Sequence, residues 1–363
     1  MSEDASNSDR EWRKALDNAV DTDERVEVAL RACDAGFENV AETWYREAID
    51  AGDTGAMVDL GLVFKRRGRL GDAEYWYRKA AEAGHVVGMF NLGIRLNQRG
   101  AFEEAEPWLR RAVDKGRTKA MVDLGFSLEN RGRLGDAEYW YRKAAEAGHV
   151  VGMSNLGIRL NQRGAFEEAE PWLRRAVDKG RTKAMVDLGF SLENRGRLGD
   201  AEYWYRKAAE AGHVVGMSNL GARLNERGAF EEAEPWLRRA AEAGRVRSMV
   251  DLGYSFQQRG RFDEGERWAY RAANAGNAVG MNNLGSLLYG AGQHAEAEHW
   301  YRKAAEAGNA LAMSNLGGLL EQRSRLTEAE HWYRKATEAG YAGAENSLKR
   351  VRATPRNRQT SPG

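Results

Sequence analysis

Cysteine is nearly absent from this chain of 363 residues, with Cys33 the only one. A single thiol cannot form an internal disulfide, a cysteine cage for zinc or a redox pair. Proline is almost as scarce: Pro107, Pro171 and Pro235 stand 64 residues apart, and Pro355 and Pro362 fall near the C-terminus. No stretch approaches the ~20 consecutive apolar residues of a membrane span. An excess of one charge is lacking too, since 55 Lys+Arg face 54 Asp+Glu for a net charge of +1. Long-range attraction to nucleic acid or anionic membrane therefore has no basis here. The start Met1-Ser2-Glu3-Asp4 has neither the basic nor the apolar region of a signal peptide, so a reducing cytoplasm is expected.

Aromatics, by contrast, are plentiful and ordered. All eleven tryptophans lie on one lattice, Trp12, Trp44, Trp76, Trp108, Trp140, Trp172, Trp204, Trp236, Trp268, Trp300 and Trp332, each 32 residues after the last. Met57 through Met313, Leu60-Gly61 through Leu316-Gly317 and Ala73 through Ala329 keep the same spacing. A period of this size marks a solenoid, propeller or array. Met121, Leu124 and Leu128 fall at i, i+3 and i+7, which predicts a first helix, A. Ala137, Trp140, Tyr141, Ala144 and Ala145 then predict a second, B. Gly132 and Gly148 stand at the two turns, where the chain needs a left-handed residue. No window alternates with period two, so each unit is a helical hairpin and the fold class is all-α.

Nine complete units are expected over 54–341, preceded over 8–53 by a lone B-type helix starting at Ser8 and a degenerate unit. A capping helix is expected over 342–352, with disorder over 1–7 and 353–363. A coarser period overlies the first. Residues 117–180 and 181–244 align without gaps and differ at five of 64 positions, where Ile158, Gln162, Val177, Asp178 and Lys179 become Ala222, Glu226, Ala241, Glu242 and Ala243. A two-hairpin block has been duplicated in tandem, and surface identity has survived along with core identity.

The run Ala137 to Gly157, of pattern A-x-x-W-Y-R-K-A-A-E-A-G-x-x-x-G-M-x-N-L-G, resembles the Sel-one-like repeat subfamily of tetratricopeptide-type proteins. The turn Gly132 to Ala137 has the shorter length of ordinary tetratricopeptide repeats, so the chain is a hybrid of the two. The resemblance implies a right-handed superhelical solenoid, and an adaptor that holds peptides or proteins in a concave groove lined by the A helices.

Candidate chemistry is thin. His85, His149 and His213 occupy equivalent turns roughly 20 Å apart at ordinary helix spacing and cannot share a metal. His294, His299 and His331 match no ligand motif, and no phosphate loop, zinc-protease or nucleophile-elbow pattern occurs. Neither an enzyme nor a cofactor or metal is expected. The tryptophans are expected between adjacent hairpins. Acids such as Asp136 at the start of helix B and bases such as Arg142-Lys143 at its end oppose the helix dipole. Pro107, Pro171 and Pro235 predict bent or late-starting B helices in alternate units.

By analogy with tetratricopeptide hairpins, three A-helix positions point toward the groove. One class of unit supplies Val122, Asp123 and Phe126, repeated as Val186, Asp187 and Phe190, as Val58, Asp59 and Leu62, and as Val250, Asp251 and Tyr254. The other supplies Phe90, Asn91 and Ile94, then Ser154, Asn155 and Ile158, then Ser218, Asn219 and Ala222. Lys119 and its copy Lys183 stand one turn away. Apolar side chains beside Asp and Asn suit a peptide or a partner's helix. Equally, Phe126 covers the next A helix and Asp123 pairs with Lys119. Protein-protein interaction is the expected function. A regulatory subunit of a separately encoded enzyme is the first alternative. A single-strand nucleic-acid reader is the second, opposed by the four aspartates on the face.

Overall fold

The computed structural model describes residues 3–354, and side chains over 8–21 and 24–354. Every regular element among them is helical. The two helices expected in each unit are present, as in Ala120–Asn130 followed by Leu134–Glu146, then Val150–Gln162 followed by Phe166–Asp178. Contacts divide the chain into two compact units, 1–184 and 185–363. Within each, a helix packs on the one before and the one after it in sequence.

The turns are built as glycine requires. Gly132 closes the A–B turn at φ 72° and Gly148 the turn to the next hairpin at φ 86°. The one non-glycine residue described at positive φ is Ser324, at 59°, in the same kind of turn. A Cβ there costs about 1–2 kcal/mol in the left-handed region. Part of this returns as unfolded-state entropy on substitution, so Ser324→Gly is expected to raise stability by about 0.5–1 kcal/mol. Chemical denaturation monitored by helical circular dichroism checks it, with Gly132→Ala as the opposite control.

The hairpin core is set by the glycine of the Leu-Gly pair. Helix B lays Tyr141 directly onto Gly125, where a Cβ would stand 2.6 Å from the ring. Tyr77 on Gly61 and Tyr205 on Gly189 repeat the contact, and Leu109 meets Gly93 in the proline-bearing class. Tyr45, Tyr77, Tyr141 and Tyr205 are the largest side chains withdrawn from solvent. Most tryptophans are half-buried at the seam between hairpins, where Arg110 of one B helix stands 5.7 Å over the Trp140 ring of the next.

A second seam is ionic. Glu106 of helix Phe102–Asp114 accepts from Arg110 on its own helix and from Arg131 and Arg133 of the following hairpin. Burial alone would raise this carboxyl, but the three guanidinium groups outweigh it and hold Glu106 below the usual carboxylate range. Glu234 with Arg238, Arg259 and Arg261, and Glu298 with Arg302, Arg323 and Arg325, repeat the clasp.

Three expectations change. The prolines delay no helix: Phe102–Asp114, Phe166–Asp178 and Phe230–Glu242 each start at the usual register with proline inside. Pro107 stands near the helix start, so it removes a single bond to the carbonyl of Glu103. The first helix runs Glu3–Asn18, beginning ahead of Ser8, so residues 3–7 of the segment expected to be disordered are helical. At the other end a 3-10 turn, Ala342–Ala344, precedes the helix Glu345–Ala353. The expected disorder over 1–2 and 355–363 falls outside the described residues.

Candidate interaction face on the A helices

In the first unit, the starts of three successive A helices meet around a cavity of about 370 Å³ lined by Phe90, Lys119, Val122, Asp123, His149, Val150 and Val151. Four of these residues belong to the face expected from sequence. Phe90 is half-buried and carries the Arg117 guanidinium 4.9 Å over its ring. His149 precedes helix Val150–Gln162, and its Nε2 lies 2.8 Å from the Thr118 hydroxyl. Asn97 Nδ2 donates to the Asp123 carbonyl at 3.0 Å, tying one A helix to the next. Burial pushes the Asp123 carboxyl up to about 6. The pairing expected between Asp123 and Lys119 is not formed. Apolar walls around one partly desolvated acid can hold an apolar side chain and accept a hydrogen bond beside it.

Phe126 borders the same row, 43% exposed, with its ring edge-on to Phe102 at 6.0 Å. In the second unit, Phe190 and Tyr254 are each 44% exposed, and Tyr254 meets Phe230 at 6.2 Å. Phe190 and Asn219 line a second cavity, of about 360 Å³, with Glu193, Asn194, Tyr205, Ala222, Arg223, Glu226 and Arg247. Asp251 lies beside it, its Oδ2 buried without a hydrogen bond and 3.6 Å from Arg247 Nε. Burial pushes this carboxyl to about 6 as well, against the pull of Arg247.

The remaining expected residues divide. Leu62, Asn91, Ile94, Asn155, Ile158, Val186 and Asp187 are half-buried on their A helices, and Lys183 is exposed. Val58, Asp59, Ser154 and Ser218 are corrections: at 3%, 2%, 2% and 1% exposure they are interior, the first two because the helix Thr22–Asp34 packs over helix Thr54–Arg66, while Ser218 accepts from the Ser248 hydroxyl. Asp59 therefore presents no charge on the face. Sequence reasoning missed His149, Val150 and Val151, and the charged set Glu193, Arg223, Glu226 and Arg247. The former start an A helix and the latter lie near A-helix ends, whereas the three lattice positions chosen lie between them in the helix interior.

Among the described residues no three His, Cys, Asp or Glu side chains gather as a metal would need, and no helix is long and apolar enough to cross a membrane.

Stacked two-helix hairpins with a repeated core contact define an α-solenoid repeat protein. The Sel1 repeat model matches residues 38–53, 70–85, 119–149, 183–213 and 246–277. Tetratricopeptide repeat models match 91–120, 152–184 and 216–246, and 282–345. The chain belongs to the tetratricopeptide and Sel1-like repeat proteins. Its fold is similar to that of a protective antigen of uropathogenic Escherichia coli displaying an SLR fold, with a TM-score of 0.67 at 24% identity over 94% of this chain and 82% of that one. A Sel1 repeat protein from Oxalobacter formigenes aligns at 0.50 and 25% identity, over 60% of this chain and 96% of its own. No curated protein matches the sequence.

Proposed function

We propose that the protein is a non-enzymatic scaffold that holds a peptide or a helix of a protein partner against its A helices. The supporting observation is the first-unit cavity, where Phe90, Val122, Val150 and Val151 wall a space beside the half-buried carboxyl of Asp123. Phe126 in the first unit, and Phe190 and Tyr254 in the second, are each nearly half exposed on their A helices and offer an apolar surface there. Phe126 and Phe190 are equivalent residues of the duplicated block, so each copy offers a ligand the same aromatic.

Phe126→Ala alone is expected to weaken a partner recovered from lysate by only a few-fold, and Phe126→Ala with Phe190→Ala by far more, because each copy backs up the other. Lys119→Glu adds an acid beside Asp123 and is expected to repel acidic partners while sparing the fold. Isothermal titration decides. A double variant that stays fully helical and binds as the parent does overturns the use of this face.

A further inference from the structure

Residues 117–180 and 181–244 differ at five of 64 positions, and two of the changed residues, Ala222 and Glu226, line the cavity beside Phe190. The equivalent positions one block earlier hold Ile158 and Gln162, and two blocks earlier Ile94 and Gln98. One block later the same positions hold Ser286 and Gly290, so Ala222 and Glu226 are the pair that combines a small side chain with an acid.

This pair changes shape and charge together. Ile158→Ala222 withdraws three carbons from the wall next to the exposed phenylalanine. Gln162→Glu226 adds a carboxylate, which lowers the charge of this set of side chains by one. It also turns the partner of an arginine from an amide into a carboxylate. In the first copy Arg159 donates to Gln162 and stands 3.8 Å from Glu129, which also accepts from the Tyr141 hydroxyl. In the second copy Arg223 is paired with Glu226. Glu193, the counterpart of Glu129, keeps the Tyr205 hydroxyl at 2.6 Å, and among the described residues no Lys or Arg nitrogen lies within 4 Å of it. Arg247, the remaining cation of the lining, is 71% exposed and leans on Asp251.

We infer that the cavity formed by Phe190, Glu193, Asn219, Ala222 and Glu226 is a subsite for a basic side chain of the partner. It therefore distinguishes the second copy of the block from the first. The space left by the missing isoleucine carbons takes the aliphatic stem against the Phe190 ring, and Glu193 receives the cation at its end, where a charge-assisted hydrogen bond is strong. Asn219 offers its amide oxygen beside it. The proposal rests on the A-helix row being the binding face and adds what one position of the ligand must be.

The test uses the full-length chain and N-acetyl-arginine N-methylamide as the probe, followed by saturation-transfer NMR. N-acetyl-norleucine N-methylamide serves as its neutral counterpart and N-acetyl-glutamate N-methylamide as the acidic one. The arginine probe is expected to bind the parent and to bind at least fivefold more weakly to Ala222→Ile with Glu226→Gln, which restores residues the fold already accommodates one block earlier. Ile158→Ala with Gln162→Glu in the first copy is expected to create a second site and about double the probe bound at saturation. Equal binding of the arginine probe to parent and restored variant overturns the subsite, as does equal or preferred binding of the neutral or acidic probe. Failure of the wider reading looks different: there, loss of Phe126 and Phe190 leaves partner affinity unchanged whatever the probe does.

Discussion

Gly125→Ala is expected to destabilise the protein by about 2–3 kcal/mol although alanine is the better helix former. The added Cβ would stand 2.6 Å from Tyr141 Cε1 and 2.7 Å from Cδ1, closer than any packed carbon pair. The ring cannot withdraw, because it is enclosed between the helices of its hairpin and its hydroxyl is held by Glu129 at 2.9 Å. Tyr141→Ala alone should cost about 3–5 kcal/mol by leaving a cavity. The decisive measurement is the double variant. With the ring gone, Gly125→Ala fills space and restores helix propensity, so its effect should turn from loss to gain in the Tyr141→Ala background. Such a reversal is the signature of direct contact. The chain already contains that pair in another form, since Ala269 holds the tyrosine position opposite Gly253. Denaturant titrations in which Gly125→Ala costs the same with and without Tyr141 would refute the contact.

That contact also shows what a sequence of this kind discloses. The 32-residue lattice makes the hairpins, their turns and the Leu-Gly pair legible, because periodic apolar residues and left-handed glycines act locally. It does not say which aromatic enters the hairpin. The tryptophans were expected, and lie, between adjacent hairpins, whereas the tyrosine after them is deeper and fills the hairpin itself. Both lie on one helical stripe, and only the partner helix, opened by its glycine, decides between them. The ionic seam was equally hidden. Charges near helix ends can serve the helix dipole, and nothing in the spacing of Glu106, Arg131 and Arg133 reveals that they converge across a hairpin boundary. On the candidate face, the positions after the lattice Met and around Leu-Gly were legible as a register, but exposure was not. Val58 and Asp59 share that register with Val122 and Asp123 and are covered because the degenerate hairpin before them folds over their helix.

Asp123 and Asp251 carry the second large prediction. Burial raises both carboxyls from 3.8 to about 6, so the folded chain binds a proton that the unfolded chain has already released. For an acid raised in this way, stability is greatest below the unfolded pKa and falls as pH rises through the folded one. The window is therefore from about pH 4 to about pH 6, and above it each ionised aspartate costs about 2–3 kcal/mol. Asn91, Asn155 and Asn219 stand at the corresponding positions of the alternate hairpins, so the fold accommodates an amide there. Asp123→Asn is accordingly expected to match the parent near pH 4 and to exceed it by about 2–3 kcal/mol at pH 8. Asp251→Asn should behave alike, less the small contribution of its pair with the exposed Arg247. Taking the difference between variant and parent cancels opposing titrations elsewhere, such as Glu106, whose lowered carboxyl loses stability as pH falls. Denaturation midpoints across pH 4–8 read the outcome, and a variant-to-parent difference that stays flat over that range would mean that these carboxylates are not desolvated. An acid held in this way favours a ligand that brings its own donor or cation to it, and each variant should then gain stability while losing that ligand.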